Sequence, residues 1–475
     1  GIKKIMSNER MFRNFERKTA TSRSVIRQKI IASAFFCTGV LAATSASGQS
    51  LEEALANAYF TNPGLQAARA KLRVTDETVN QAISGWRPNV EFKTSAGYSR
   101  VENLNEFTGS RGLRQPISAE ISVKQNIYAG GRTVAETEQR EFDVLWRRAE
   151  LAEVEQDVLL NAATAYMNVF RDQAVVDLQK NNERVLQRQL EATKDRFSVG
   201  EVTRTDVSQA EARVARAKAD RIQAEGDLDN SRTNFERVVG SAASGLKAPS
   251  FLLKLPKTQA DAIEIATKKN PSVLSALYVE KAAKKNIRRV EGELLPSLDI
   301  EGSLRKSENE SSRGSTNETS QIIATLSIPI YQQGAVSSRL REAKQEAAQR
   351  RLEYDDQRRV AIEATRTAWE DLETARARID AFRIEIESSE IALEGVRQEA
   401  NVGSRTVLDV LDAEQELLDA QVNLVRAERD EFVAATELAA ALGKLTAKEY
   451  NLNVDYYDEL EHYNKVRDKI YGFGK

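Results

Sequence analysis

The chain has 475 residues, of which 41% are hydrophobic, 29% are charged and 6% are aromatic, with 8 prolines. The length would suit two or three ordinary domains, but scarce proline and long tracts of Ala, Glu, Gln, Arg, Leu and Val favour extended helices over compact mixed sheets. The formal net charge is −2. It becomes −9 without residues 1–48, which hold nine basic and two acidic groups, and this balance argues against nucleic acid as a partner.

Residues 1–48 have the pattern of a secretory signal peptide. Residues 1–29 contain nine Lys or Arg, and the apolar run IIASAFFCTGVLAA and then small residues follow. This run is shorter than the roughly 20 residues of a transmembrane helix, so cleavage between Ala46 and Gln49 is favoured over a membrane anchor. The single cysteine, Cys37, lies in the run, so the mature chain is expected to need no disulfide. Two Phe before it argue against lipidation.

The rest of the chain carries the same four motifs twice, in the same order. The pairs are TNPGLQAARAKL with KNPSVLSALYVEKA, GWRPNVEFKTS with ELLPSLDIEGS, IYAGGR with IYQQGA, and FSVGEVTRTDV with ANVGSRTVLDV. The offset is 208 residues from Pro63 to Pro271 and 203 from Gly200 to Gly403, so the difference in length falls in a loop between the strand-like segments. The predicted organisation is a first repeat at 49–241, a linker at 242–258, a second repeat at 259–445 and a C-terminal periplasmic tail at 446–475.

Each repeat opens with a short helix, predicted at about 51–85 and 259–293, that is interrupted at an Asn-Pro pair. After a further proline, apolar and polar residues alternate in two segments of each repeat. These segments cover 89–101, 117–127, 297–307 and 320–330. About ten residues is the length of a tilted transmembrane strand. The sequence therefore predicts four membrane-length strands, with polar surface loops within each pair.

A very long helix follows the second strand of each repeat. Residues 132–199 contain neither Gly nor Pro, and residues 335–402 contain Gly395 alone. One helix of that length would extend about 100 Å. Apolar residues at coiled-coil spacing indicate that these helices pack sideways against other helices.

A glycine and a shorter helix follow each long helix. The glycines are Gly200 and Gly403, and the shorter helices are predicted at 203–239 and 406–442. Each pair of helices is therefore a hairpin with its turn at the glycine. The sequences TRTD and TVLD after the two glycines fit the capping box that starts a helix.

Four strands cannot close a barrel, and open strand edges are not tolerated in lipid. Two chains would give eight strands around a lumen filled by side chains, whereas three would give twelve around a water-filled lumen. A soluble rod or a coiled-coil scaffold would explain the helices. It would not explain the strands or the signal peptide, so the pattern favours a duct.

The chain resembles the TolC family of outer-membrane export channels. The resemblance rests on the repeated Asn-Pro, the proline before each first strand, IYAGGR with IYQQGA, VGEVTRTDV with VGSRTVLDVLDAEQ, and the terminal VVG and ALG. It runs from Leu51 to about Lys448. It implies a fold that is mainly α with membrane β, internally duplicated, in which three chains form a channel-tunnel. Each chain would supply four strands to a 12-stranded outer-membrane β-barrel, and the long hairpins would form a periplasmic coiled-coil tunnel.

The resemblance also implies partners and a function. The partners would be two further copies of the chain, a periplasmic adaptor (membrane fusion) protein, an inner-membrane pump of the RND or ABC type, and outer-membrane lipid. The channel would serve efflux or type I secretion, giving passive exit to drugs, toxic compounds or proteins, without a cofactor. The alternative is a non-pore periplasmic coiled-coil scaffold.

Three residues near the second turn carry most of the functional expectation. Asp409 fits a capping role, whereas Asp412 lies beyond the first turn of the helix and gains little from capping. The two share a helix face, so three chains would present two stacked rings of carboxylates that select cations. The resemblance places both at the periplasmic pore constriction. It also implies that Arg405 forms an entrance latch with Thr205 and Asp206.

One departure from the family bears on the latch. The tyrosine that the family carries three residues before the second turn glycine is replaced here by Ala400, so any contact through that phenol is absent.

No enzyme pattern emerges from the sequence. The single histidine, His462, lies in an acidic, Tyr-rich tail without a paired nucleophile or ligand cluster. We therefore expect no catalytic residue, no metal site and no enzyme activity.

Overall fold

The computed structural model describes residues 49–102, 111–249 and 254–473. The predicted signal peptide at 1–48, with Cys37, lies outside the described residues. Between Val239 and Gln259, the described residues of the predicted linker form neither helix nor strand. The helices are α1 (Leu51–Thr61), α2 (Pro63–Ile83), α3 (Arg132–Ser198), α4 (Arg204–Val239), α5 (Gln259–Lys269), α6 (Pro271–Glu291), α7 (Ala335–Asn401), α8 (Val407–Ala441) and α9 (Glu461–Val466).

The Asn-Pro pairs separate α1 from α2 and α5 from α6 in the same way. Asn62 has an extended backbone, and its side chain accepts hydrogen bonds from the N–H groups of Gly64 and Leu65. Asn270 caps α6 with the same geometry. Because Pro63 has no N–H to satisfy, it fits the first position of the new helix. The predicted break at each Asn-Pro is thus a change of direction between two capped helices.

The two long helices, α3 and α7, have 67 residues each and so extend about 100 Å. Gly395 lies inside α7 without ending it. Hairpin 1 is α3 with α4, and hairpin 2 is α7 with α8. Because α8 also packs against α3, the four helices lie side by side in the order α4, α3, α8, α7. The shorter helices α2 and α6 both pack on α3, and α6 also packs on α7.

The strands form an antiparallel sheet and a separate two-stranded hairpin. They are β1 (Asn89–Ala96), β2 (Ser99–Glu102), β3 (Arg111–Arg114), β4 (Ile117–Ala129), β5 (Ser297–Glu308) and β6 (Thr316–Ser327). The sheet order is β1-β4-β5-β6, so the two repeats meet where β4 pairs with β5, and β2 pairs with β3. Both edge strands, β1 and β6, have one neighbour among the described residues.

Two predicted strand ranges were wrong at their ends. The strand expected at 89–101 ends at Ala96, and a separate strand, β2, follows. Between them, the N–H of Gly97 donates a hydrogen bond to the Pro116 carbonyl. The strand expected at 320–330 begins at Thr316 and ends before the proline near its far end. It begins before the predicted position because the polar residues from Thr316 onward also pair with β5. Lys306 and Glu318, which face each other in this pairing, form an ion pair of 2.8 Å.

The four-stranded sheet has a polar face and a face that is apolar except near the turn between β5 and β6, where Lys306 and Glu318 pair. Exposed apolar side chains on one face are Val90, Phe92, Ile121, Val123, Leu304 and Ile322. The opposite face carries Glu91, Lys93, Glu120, Lys124, Asp299, Glu301 and Arg305. An uncovered apolar surface of this kind marks contact with a membrane or another protein.

The C-terminal segment packs against the first repeat. Leu445, Tyr450 and Leu452 are buried in the same core as α1, α2 and α3. Further along, the carbonyl of Lys469 accepts hydrogen bonds from Asn80 and Arg87. The described tail is therefore an ordered part of the fold.

Candidate entrance at the hairpin tips

The turn of each hairpin depends on a glycine with a left-handed backbone. Gly200 has φ +83° and Gly403 has φ +80°, and L side chains rarely adopt this conformation. After Gly403, the N–H of Ser404 bonds to the Glu399 carbonyl five residues back, which closes the end of α7. In hairpin 1, the N–H of Glu201 donates the equivalent hydrogen bond to the Arg196 carbonyl. Each long helix therefore ends two positions before its glycine, at Ser198 and at Asn401.

A reciprocal capping box starts each return helix. In hairpin 2, the backbone N–H and the hydroxyl of Thr406 both donate to one carboxylate oxygen of Asp409, at 2.8 Å each. The Asp409 N–H donates to the Thr406 hydroxyl in return. These bonds, with the nearby charge of Arg405, hold the pKa of Asp409 below its ordinary value. Thr203 and Asp206 repeat the arrangement in hairpin 1.

Asp412 has a different partner from Asp409. Its carboxylate binds the guanidinium of Arg213, which projects from α4 in the other hairpin. Asp412 is exposed, and Arg213 is the more shielded of the two. The sequence prediction of paired carboxylates missed this cation. No local pattern identifies it, because the contact joins residues 199 positions apart.

Arg405 is paired within its own hairpin. Its Nε donates to a carboxylate oxygen of Glu399 at 2.9 Å, and both side chains are about half exposed. Glu399 also raises the pKa of Arg405. In the described chain, the structure thus brings Arg405 to Glu399 rather than to Thr205 or Asp206. Glu399 lies across the same turn, so Arg405 pairs with it without any contact between the two hairpins.

Hairpin 2 contacts hairpin 1 through a small apolar cluster near the turns. Val407 and Leu411 of α8 pack with Leu186 of α3 and Ala217 of α4. Arg213 and Asp412 are the direct neighbours of residues in this contact. The cluster and the ion pair together hold the start of α8 against hairpin 1.

Ala400 has a packing role that the sequence comparison did not suggest. It is 9% exposed and packs with Leu393 and Val410 inside hairpin 2. A small side chain therefore fits position 400, where α7 packs against α8 just before the turn.

Among residues 49–102, 111–249 and 254–473, there is no cluster of three or more His, Cys, Asp or Glu that could hold a metal ion. His462 lies in the tail, with Nδ1 3.0 Å from Oδ2 of the buried Asp76. This pair joins α9 to α2.

In the described ranges, the helices lack a segment long and apolar enough to cross a bilayer.

The sequence matches a family model described as outer membrane efflux protein. The match covers residues 51–241 and 262–444, which lie in the first and second halves of the chain.

Three relatives span most of the chain. It is 34% identical over 450 residues to the outer membrane efflux protein BepC of Brucella suis biovar 1 (strain 1330), covering 94% of this chain and 96% of BepC. It is 25% identical over 421 residues to the outer membrane protein TolC of Escherichia coli (strain K12), covering 84% and 83%. It is 26% identical over 426 residues to the proteases secretion protein PrtF of Dickeya chrysanthemi, covering 86% and 91%.

Solved structures share the fold. The outer-membrane channel OprN superposes with a TM-score of 0.75 over 83% of this chain and 90% of its own, at 20% identity. The outer membrane protein VceC from Vibrio cholerae superposes with a TM-score of 0.74 over 83% and 96%, also at 20% identity. At these identities, the similarity is one of fold alone.

Proposed function

This chain belongs to the outer membrane efflux protein family, and we propose that three copies of it form the exit duct of a tripartite efflux system. The strands would cross the outer membrane, and the hairpins would extend into the periplasm. A periplasmic adaptor and an inner-membrane pump of the RND or ABC type would deliver the cargo. The duct itself would supply a passive path and no covalent chemistry.

The two-faced sheet is the observation that carries this proposal. Its apolar face suits lipid, and its charged face suits a water-filled lumen. Because β1 and β6 each leave one edge unpaired among the described residues, the sheet needs neighbouring copies before it can enter a bilayer. Three copies of this four-stranded sheet make a barrel of about twelve strands, wide enough for water, whereas two make a barrel filled by side chains.

The hairpin tips would form the periplasmic entrance. In a trimer, Asp409 and Asp412 would each contribute three carboxylates around the axis, and such rings favour cations over anions. Arg405 would also lie near the neighbouring subunit. An entrance latch from Arg405 to Thr205 and Asp206 would then form between subunits, in competition with the Glu399 contact seen within the chain.

Efflux of small compounds is the first candidate among cargoes. The 34% identical relative is named an efflux protein, whereas the protease secretion relative is 26% identical. Protein secretion by a type I system is the second candidate. A deletion strain tested for drug and bile-salt sensitivity and for secreted proteins would separate the two.

Site-specific labelling tests the duct against a periplasmic scaffold. Ser312 lies exposed in the loop between β5 and β6, and Ser208 lies exposed near the tip of hairpin 1. A membrane-impermeant maleimide should label Ser312→Cys in intact cells. It should label Ser208→Cys only after the outer membrane is permeabilised. Equal labelling in intact cells, or no labelling of either, would contradict the duct and favour the scaffold.

A further inference from the structure

We propose that residues 465–473, called here the tail end, bind an anionic phospholipid in the periplasmic leaflet of the outer membrane. Basic side chains would bind the phosphate of the headgroup, and the apolar side chains that follow them would enter the acyl region. This inference rests on the proposed function, in which the strands cross the outer membrane and the helices lie in the periplasm.

The tail end is fastened where the helices give way to the sheet. The carbonyl oxygen of Lys469 accepts hydrogen bonds from the side chains of Asn80 and Arg87, at 2.9 Å each. Arg87 lies two residues before the start of β1. Beside it, Gln125 of β4 donates a hydrogen bond of 3.0 Å to the carbonyl of Trp86. The residues after Lys469 therefore start beside the end of the sheet, which in the proposed duct is the level of the periplasmic membrane surface.

Large apolar side chains of the tail end are exposed. Ile470 is 78% exposed, Tyr471 is 89% exposed and Phe473 is fully exposed. Trp86, at the junction of helix and sheet, is exposed as well. Tyr and Trp concentrate at the surface of a bilayer, because their rings suit both the apolar and the polar phase. In the proposed duct the bilayer is the apolar phase nearest to these side chains, so we expect them to enter it.

A cleft lined by basic groups lies beside these apolar side chains. It has a volume of about 420 Å³ and lies between α2 and the tail end, with Arg87, Lys465 and Lys469 in its lining. Among the described residues, neither lysine has an ion-pair partner. The one carboxylate of the lining, Glu77, lies 3.9 Å from Nε2 of His462. Three cationic groups against one carboxylate give the cleft a positive balance, which suits an anionic headgroup.

A phospholipid accounts for both parts of this surface. A free phosphate ion would use the basic cleft alone and would leave Tyr471 and Phe473 in water. A phospholipid joins an anionic phosphate to acyl chains, in the same order as the basic cleft and the apolar residues that follow it. Each basic group near an anionic membrane surface corresponds to about a fivefold gain in affinity, so loss of two such groups should weaken binding about 25-fold.

Titration of the detergent-solubilised full chain with phosphatidylglycerol tests the headgroup site. The double variant Lys465→Gln with Lys469→Gln should bind this lipid about 25-fold more weakly than wild type. It keeps the hydrogen bonds that fasten the tail end, because these use the Lys469 carbonyl. Lys448→Gln, at an exposed lysine outside the cleft, is the matched control and should bind as wild type. Equal binding by the two variants, or displacement of the lipid by inorganic phosphate, would contradict the lipid site.

Fluorescence quenching in vesicles of phosphatidylethanolamine and phosphatidylglycerol tests the apolar part. Bimane attached to Tyr471→Cys should be quenched by nitroxides on the lipid acyl chains. Bimane on Ser208→Cys, near the tip of hairpin 1, should remain unquenched, and bimane on Ile322→Cys, on the apolar face of the sheet, should be quenched. If position 322 is quenched and position 471 is not, the lipid inference is wrong and the duct stands. If position 322 is not quenched, the proposed function fails, and this inference falls with it.

Discussion

Gly130, just beyond β4, lies directly against Gly292, at the end of the second repeat's α6. A Cβ built on Gly130 would overlap the carbonyl oxygen of Gly292 and would lie 2.9 Å from the Cβ of Leu295. Both glycines lie where the strands give way to the helices. The close approach of the two backbones therefore fixes how the sheet joins the long helices.

We expect Gly130→Ala to reduce the yield of assembled protein for two reasons. The new Cβ would force the backbone at Gly292 to shift, and the alanine would have to adopt φ +64°. The neighbouring Gly131 is the matched control. It has φ +76° but nothing within 4 Å of a built Cβ. Gly131→Ala should cost about 1–2 kcal/mol from backbone strain alone. Urea denaturation of the two variants would measure the difference, and equal losses would contradict the contact.

The capping box of hairpin 2 predicts a pH dependence at the tip. Its bonds hold the pKa of Asp409 below the ordinary 3.8. The ionised carboxylate therefore contributes stability that is fully present above pH 3.8 and is lost as the pH falls through the lower folded-state pKa. We expect Asp409→Ala to speed amide exchange in the first turn of α8 at pH 6, with a smaller difference from wild type at pH 3.

Asp206→Ala is the control for this measurement. It should speed exchange in the first turn of α4 and leave α8 unchanged, because the two capping boxes are separate. A difference at α8 that persists undiminished at pH 3 would show that the ionised carboxylate is not the cause.

His462 is predicted to fasten the C-terminal segment. It bonds to the fully buried carboxyl of Asp76, whose pKa is raised by burial, an effect that the bond from His462 partly offsets. Removal of the imidazole in His462→Ala leaves the carboxyl with one partner fewer, at a cost of about 1–3 kcal/mol. Trypsin should then cut sooner at Lys465 and Lys469. The exposed neighbour provides the control: Glu461→Gln should be cut at the wild-type rate, and equal rates for both variants would contradict a fastening role.

Adjacent residues of β6 test which face of the sheet meets lipid. Ile322 is 84% exposed on the apolar face, whereas Ile323 lies on the polar face. A lysine on the lipid side costs about 2–4 kcal/mol near the bilayer midplane. Ile322→Lys should therefore lower the amount of trimer in the outer membrane, and Ile323→Lys should be tolerated. Equal effects of the two substitutions would contradict the assignment of faces.

The hairpins and helix breaks could be predicted from the sequence because their causes are local. Gly200 and Gly403 need a left-handed backbone, and Pro63 needs a helix start, so each signal lies within a few residues of its effect. The duplication strengthened these predictions, since each break occurs twice. The ends of the strands were harder to predict. Pairing with β5 extends β6 back to Thr316, although the polar composition of that segment does not favour a strand.

The side-chain partners at the tips could not be predicted in the same way. The spacing of Asp409 and Asp412 indicates a shared helix face but does not reveal that one caps a helix and the other binds Arg213. The latter contact depends on how the two hairpins lie against each other. The latch from Arg405 to Thr205 and Asp206 stays a prediction, and within one chain Arg405 pairs with Glu399 across its own turn.

A cryo-electron microscopy reconstruction of the protein purified from outer membranes tests the central claim most directly. We predict three copies around one axis, with about twelve strands closed into a barrel and one continuous lumen leading into the helical tunnel. Asp409 and Asp412 would face that axis at the narrow end. An assembly with another number of copies, or one whose sheets do not enclose a lumen, would contradict the trimeric duct.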